Sequence, residues 1–242
     1  MTDQREGPAD QLADQKVLPL VVRIERAAPP ERTDALEAAA LAVLSLLTDP
    51  RALEGEWAEA VRSWGNGRIR KVVRRARGAE WRRALDLPGI TVTHRTAEVR
   101  VHPPIPLDAW PRDLARLQVS GTDLVDSAAP GPPEGGETVL WINPDLSMSA
   151  GKAMAQAGHA AQLAWWAGGE DARREWRERG FALAVRTASP EMWAALSGMD
   201  LPTVRDAGFT EIEPGSRTVV ADAPWLRGED FRPAGCGPSR SS

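Results

Sequence analysis

The chain has 242 residues and a formal net charge of −4. That length suffices for one large or two small domains with buried cores and no covalent staples. One cysteine, Cys236, excludes a disulfide framework and a cysteine-rich metal site. The first fifteen residues have no apolar core and read as no signal peptide. The most apolar helical stretches, residues 35–47 and 153–167, are too short to span a membrane. The expectation is a cytoplasmic protein that does not associate with membranes. Charge is unevenly spread: residues 16–120 carry 18 Lys and Arg against 13 Asp and Glu, and residues 121–242 carry 11 against 17. An anionic partner is expected to meet the first half more readily.

In chain order, residues 1–15 read as disordered and residues 16–120 as a first α/β unit. Strands are predicted at 17–24, 69–73, 90–93 and 97–101, and helices at 31–47, 56–64 and 79–87. Residues 121–137 are rich in Pro, Gly and small polar residues, the composition of a linker. A second unit then spans 138–226. A β-branched strand at 138–142 precedes Ser149, which can cap a helix running to about 166. A further helix is predicted at 170–179 and a strand at 181–185. Ser189-Pro190-Glu191 is a helix start, with a capping serine and a proline at the first helical position. Strands at 209–212 and 217–221 follow, joined by a Pro214-Gly215 turn, and residues 227–242 read as a tail.

Strands alternating with helices imply α/β sandwich units, each built on a small mixed sheet. The two units also rhyme. RRARGAEWRRALDLPGITV from Arg74 lies against RTASPEMWAALSGMDLPTV from Arg186, matching Arg74 to Arg186 and Trp81 to Trp193, and both helices close on Leu-Pro. The expectation is an internal duplication, either a pseudo-dimer within one chain or a homodimer-forming chain.

Common phosphate and metal motifs fail. Gly151-Lys152 lacks the first phosphate-loop glycine, where Leu146 stands, and the Ser or Thr after the lysine, where Ala153 stands. Gly65-Asn66-Gly67 has Arg70 where a dinucleotide fingerprint needs its third glycine. The only histidines are His94, His102 and His159, and no metal cluster or organic cofactor is expected. No nucleophile-elbow glycine pattern supports a Ser-His-Asp triad.

Two segments carry chemistry. In MSAGKAMAQAGHAA, residues 148–161, Lys152 falls in a first helical turn that already favours anions, with Gln156 and His159 on the same face. In DAGFTEIEPGSRTVV, residues 206–220, Asp206 and Thr210 flank a glycine turn before a strand. A solvated lysine, a core histidine and a turn-forming acid would give the same letters. In their order and context, however, these segments resemble the type 2 peptidyl-tRNA hydrolase family. Its pattern runs from a strand into Met-Gly-Lys-Gly-Lys, a helix with Ala-Ala-Gln and a Ser/Gly-His-Ala pair. Later come Asp-Ala-Gly-Arg-Thr and Pro-Gly-Thr/Ser-x-Thr. The likeness covers about residues 138–224.

The resemblance implies catalytic roles for Lys152, Asp206 and Thr210 and substrate contacts at Gly151, Gln156, His159 and Gly208. It implies hydrolysis of the ester joining a peptide to the 3′ end of a tRNA. The chain departs from the pattern at Ala150, Phe209 and Glu211, where the family has lysine, arginine and often glutamine. A binding module that kept the fold and lost turnover is the alternative. The first unit shows none of the site residues. Instead it carries RIRKVVRRAR, with Arg68, Arg70, Lys71, Arg74, Arg75 and Arg77 as candidate contacts to a tRNA backbone.

Overall fold

The computed structural model describes residues 15–206 and 212–227. The termini expected to be loose lie almost wholly outside the described residues, as does most of the strand expected at 209–212. The first unit runs β1 (Lys16–Arg23), α1 (Arg32–Leu47), α2 (Pro50–Leu53), α3 (Ala58–Gly65), β2 (Arg70–Ala76), α4 (Gly78–Leu85), β3 (Ile90–His94), β4 (Ala97–Val101), β5 (Ile105–Pro106) and α5 (Arg112–Ala115). The second runs β6 (Thr138–Ile142), α6 (Ala150–Ala167), α7 (Glu170–Glu178), β7 (Leu183–Thr187), α8 (Pro190–Ser197), β8 (Thr203–Arg205) and β9 (Arg217–Asp222). A 3₁₀ turn over Pro224–Leu226 ends the described chain. Among the described residues no helix is long and apolar enough to cross a membrane.

The chain is mixed α/β with two separate mixed sheets. Their strand orders are β2-β1-β4-β3, with β5 added to β1, and β7-β6-β9-β8. These are the same order in the same directions: β2 and β7 run parallel to the central strand, and β4 and β9 antiparallel to it. Even the registers correspond. Leu20 pairs with Val73 on one side and Val101 on the other, and Leu140 pairs with Val185 and Ala221. On the outer faces, Trp81 packs near Val21, and Trp193 packs with Trp141 and Val220.

Between its terminal Lys16 and Arg23, β1 is apolar and buried on both faces, as a central strand must be. It tolerates Pro19 because its antiparallel partner changes there. β4 pairs with residues 20–22, β5 with residues 16 and 17, and only the Pro19 carbonyl is used, by His102 N–H at 3.0 Å.

The two long helices pack on one another between the sheets. α1 also contacts β3 and β4 of its own sheet and reaches β7, while α6 contacts β9 and β8 and reaches β2. Their meeting faces are small. A Cβ on Gly158 would lie 3.0 Å from Val43 Cγ2, so glycine there lets the helices approach closely. One apolar cluster includes side chains of both sheets and both helices, from Leu18 and Val99 to Leu140 and Val219.

Several local outcomes differ from the sequence reading: the short elements α2, β5 and α5 were not expected, and β2 runs on to Ala76, beyond residue 73. The strand expected from 181 begins at Leu183 because Gly180 and Phe181 both take positive φ, 64° and 58°, which breaks extended backbone. β8 is a three-residue strand at Thr203–Arg205, too short to show a period. The Pro/Gly-rich segment forms no helix or strand, yet it lies against α1. Asp126 accepts hydrogen bonds from Thr33 N–H and Oγ1, both at 2.7 Å. It thereby caps a helix whose own cap residue, Glu31, makes no capping bond. A cap of this kind contributes about 1 kcal/mol.

Candidate active site

β6 leads through Asn143, whose side-chain amide holds the Arg217 carbonyl at 2.9 Å, to Ser149. Ser149 Oγ accepts from Lys152 N–H at 3.2 Å and so starts α6. Lys152 therefore stands in the first turn, where its ammonium opposes the helix dipole. The opposition is offset by Asp206 at the end of β8: Lys152 Nζ lies 2.5 Å from Asp206 Oδ1. Gln156, one turn further along α6, donates to the same oxygen at 3.0 Å. The Thr218 hydroxyl donates to Gln156 Oε1 at 2.8 Å, which fixes the amide with its NH₂ toward the carboxylate.

Asp206 is itself held by its backbone. Its N–H donates to the Ser216 carbonyl at 2.9 Å, and its carbonyl accepts from Gly215 N–H at 2.7 Å. Gly215 takes φ of 83°, open to glycine at little cost. A cation, a carboxylate and an amide donor thus converge from a helix start and a strand end. Thr210 and Gly208 lie outside the described residues, as do Phe209 and Glu211.

These groups line a cleft of about 480 Å³. One wall is α6, presenting Gly151, Lys152, Ala155, Gln156, His159 and Leu163. The facing wall comes from the other unit: residues 68–73, entering and forming β2, with Leu107 and Val119 beside them. The cleft is therefore built between the two units, a feature the sequence reading did not anticipate.

His159 ties the walls together. Its Nε2–H donates to the Ile69 carbonyl at 2.7 Å. Burial, reinforced by the charge of Lys71, pushes its pKa well below 6.5 against the opposing effect of that hydrogen bond, so the ring is a neutral strut. Lys71 is buried as well. Its Nζ lies 2.5 Å from Gln162 Oε1 and 4.8 Å from the centre of the Trp64 ring. Burial pushes its pKa well below 10.5.

The basic run is thus divided. Arg68, Arg70 and Lys71 face the cleft. Arg74 donates from Nη1 to the Ala115 and Leu117 carbonyls at 3.1 and 2.6 Å and stacks over Trp110. Arg75 bonds Gln118, and Arg77 is exposed at the start of α4.

The first unit has a different cluster at the corresponding place. Asp34, Glu37 and His94 offer ligand atoms within 4.8 Å of one another. Their oxygens are already engaged. Glu37 Oε1 accepts from Arg186 Nη1 at 2.7 Å and from Val185 N–H at 3.1 Å, and Oε2 lies 2.9 Å from His94 Nε2. Asp34 Oδ2 accepts from Thr96 N–H and Oγ1 at 3.1 and 2.6 Å. This arrangement reads as an ion-pair plug better than as a cation site. The sequence signal was an acid inside an Ala- and Leu-rich helix, ALEAAALAVL.

The family model for peptidyl-tRNA hydrolase PTH2 matches residues 137–228, the second sheet with its helices. The peptidyl-tRNA hydrolase of Pyrobaculum aerophilum is 38% identical over 97 residues, covering 35% of this chain and 81% of that protein. That of Aeropyrum pernix is 35% identical over 105 residues, covering 38% and 85%. The mouse protein named peptidyl-tRNA hydrolase 2, mitochondrial, is 35% identical over 96 residues, covering 36% of this chain and 53% of its own length. Through this second unit, which carries Lys152, Gln156 and Asp206, the chain belongs to the peptidyl-tRNA hydrolase PTH2 family.

Proposed function

We propose that the chain hydrolyses the ester bond between a peptide and the 3′ end of a tRNA, releasing free tRNA. The observation that carries this reading is the Lys152–Asp206 pair, 2.5 Å apart at a helix start in a cleft, within the residues the family model matches. In this reading Asp206 orients and deprotonates the attacking water. Lys152 and the first N–H groups of α6 stabilise the negative charge that develops on the carbonyl oxygen. Thr210 assists at the water. Water adds to the ester carbonyl, and collapse expels the ribose hydroxyl, which regains a proton. The peptide leaves with a free carboxyl group.

We infer as well that the two units arose by duplication, an origin supported by their equal strand order and register. The first unit then serves as the second wall of the cleft. The test is a single-turnover assay on peptidyl-tRNA with the wild type, Lys152→Ala and Asp206→Asn. Each substitution is expected to slow ester cleavage by about a hundredfold. Near-wild-type rates in both variants would remove the assigned site, and a wild type that binds tRNA without cleaving it would favour the binding module.

A further inference from the structure

The corresponding positions of the two units explain what the cleft is open to receive. Val73 and Val185 are equivalent: each is paired, across its parallel edge, with a central leucine, Leu20 or Leu140. Both belong to edge strands, since β2 and β7 end their sheets. Backbone groups of alternate residues in such a strand point away from the sheet. Ala76 uses its carbonyl toward β1, at Ile24 N–H, while Arg75 turns its N–H outward to Gln118. By that alternation Lys71 and Val73 also present their N–H and carbonyl groups outward, and both residues line the cleft. Among the described residues Gln118, at Arg75, is the one backbone partner on this edge of β2.

Where α1 meets β7, the equivalent N–H is occupied. Val185 N–H donates to Glu37 Oε1 at 3.1 Å, a carboxylate oxygen delivered by α1. Counting from the residue that precedes each helix, Glu31 for α1 and Ser149 for α6, the counterpart of Glu37 is Ala155. Ala155 faces the cleft and has no side-chain oxygen to offer. The Val185 N–H is met by an acceptor from the helix that crosses its strand, whereas among the described residues the equivalent Val73 N–H has no such acceptor, in the cleft that also holds Lys152 and Asp206.

We propose that the β2 edge binds the peptide moiety of the substrate as an added strand, with Val73 N–H donating to a peptide carbonyl where Val185 meets Glu37. The identity of the occupant as the acyl group of an ester rests on the hydrolase reading above. The chemistry asked for is an extended, uncharged backbone with alternating donors and acceptors. Leu107, Val119, Leu163 and Val204 line the same cleft and suit apolar side chains of such a peptide. The first unit thereby becomes a determinant of substrate choice.

The test uses the full chain and N-acetyl-trialanine amide, a probe with no ester to cleave and no charge to pair with Lys152. In amide-resolved NMR the Lys71 and Val73 signals are expected to shift and their exchange with solvent to slow as peptide is added. Val73→Pro removes one outward donor and no ladder bond, as an edge strand permits. It should weaken peptide binding about fivefold to tenfold, the worth of one hydrogen bond. Ala155→Glu gives α6 the plug that α1 carries and should abolish binding. Saturable binding that leaves the Lys71 and Val73 amides unmoved would overturn the proposal, as would no binding at millimolar peptide. The wild-type signals decide this even if a variant fails to fold. Peptide binding at β2 without cleavage of peptidyl-tRNA would support the strand edge and sink the hydrolase reading alone.

Discussion

Glu37 and Ala155 stand at the same position of two corresponding helices, and the difference between them is the difference between a filled cavity and an open one. Glu37 is 1% exposed, and Arg186, His94 and Val185 N–H surround its carboxylate, with Arg95 3.7 Å away. Burial alone would raise its pKa. The hydrogen bonds from His94, Arg186 and Val185 together outweigh burial and hold it below 4.5.

A carboxylate with a lowered pKa stabilises the fold fully above its unfolded value. That contribution is lost as the pH falls through the folded value. Glu37→Gln should cost about 3–5 kcal/mol at pH 7, because Arg186 and His94 lose a buried partner. Urea unfolding from pH 7 downward should show the gap between wild type and variant narrowing below about pH 4.5. A gap that stays constant down to acid pH would mean that the charge of Glu37 contributes nothing.

Lys71 has the opposite sign. Burial pushes its ammonium well below 10.5, so in the window up to 10.5 the unfolded chain holds a proton that the folded chain has released. Stability should therefore rise with pH through that window. Lys71→Met keeps most of the stem and its packing on Trp64. It should raise the melting temperature near neutral pH by roughly 2–4 °C for each kcal/mol gained. The advantage should shrink as the pH approaches 10.5. A variant that melts below the wild type at pH 7 would show that the bond to Gln162 outweighs the cost of burial.

If the basic run attracts RNA, its members should not contribute equally. Arg68 and Arg77 are exposed, whereas Arg74 is spent on two carbonyls and the Trp110 ring. Arg68→Gln and Arg77→Gln should each flatten the log–log dependence of tRNA affinity on salt by about 0.7–0.9 for every phosphate the side chain neutralised. Arg74→Gln should leave that slope nearly unchanged and act on stability. Equal slopes in all three variants would remove the run from RNA binding.

Local chemistry made much of the fold legible. The strand over residues 97–101 and that over 138–142 stand where their apolar residues place them. Ser149 and Ser189 cap the helices that follow them, as their positions in the sequence suggest, because a serine side chain acts within its own turn. The edge of β2 is harder to read. Its alternation puts Lys71 on the same face as Val73, and that signal is present in RKVVRRA. Four cations in the seven residues 70–76 nevertheless look like a solvated surface. Only the packing of α6 across the strand shows that one of them is buried. The cleft itself is illegible for the same reason: Ala155 and Val73 carry no distinctive chemistry, and their importance comes from what faces them.

The corresponding helices α1 and α6 lie in one covalent chain, which frees each of their positions to be used once. Where two identical chains pair about a symmetry axis, every side chain appears at both ends. A carboxylate that stoppered one pocket would stopper the other. Here the stopper and the vacancy coexist, and Glu37 can strengthen the seam between the halves without cost to the pocket around Lys152. The molecule thus has one stoppered end and one open end, an asymmetry closed to a symmetric pair.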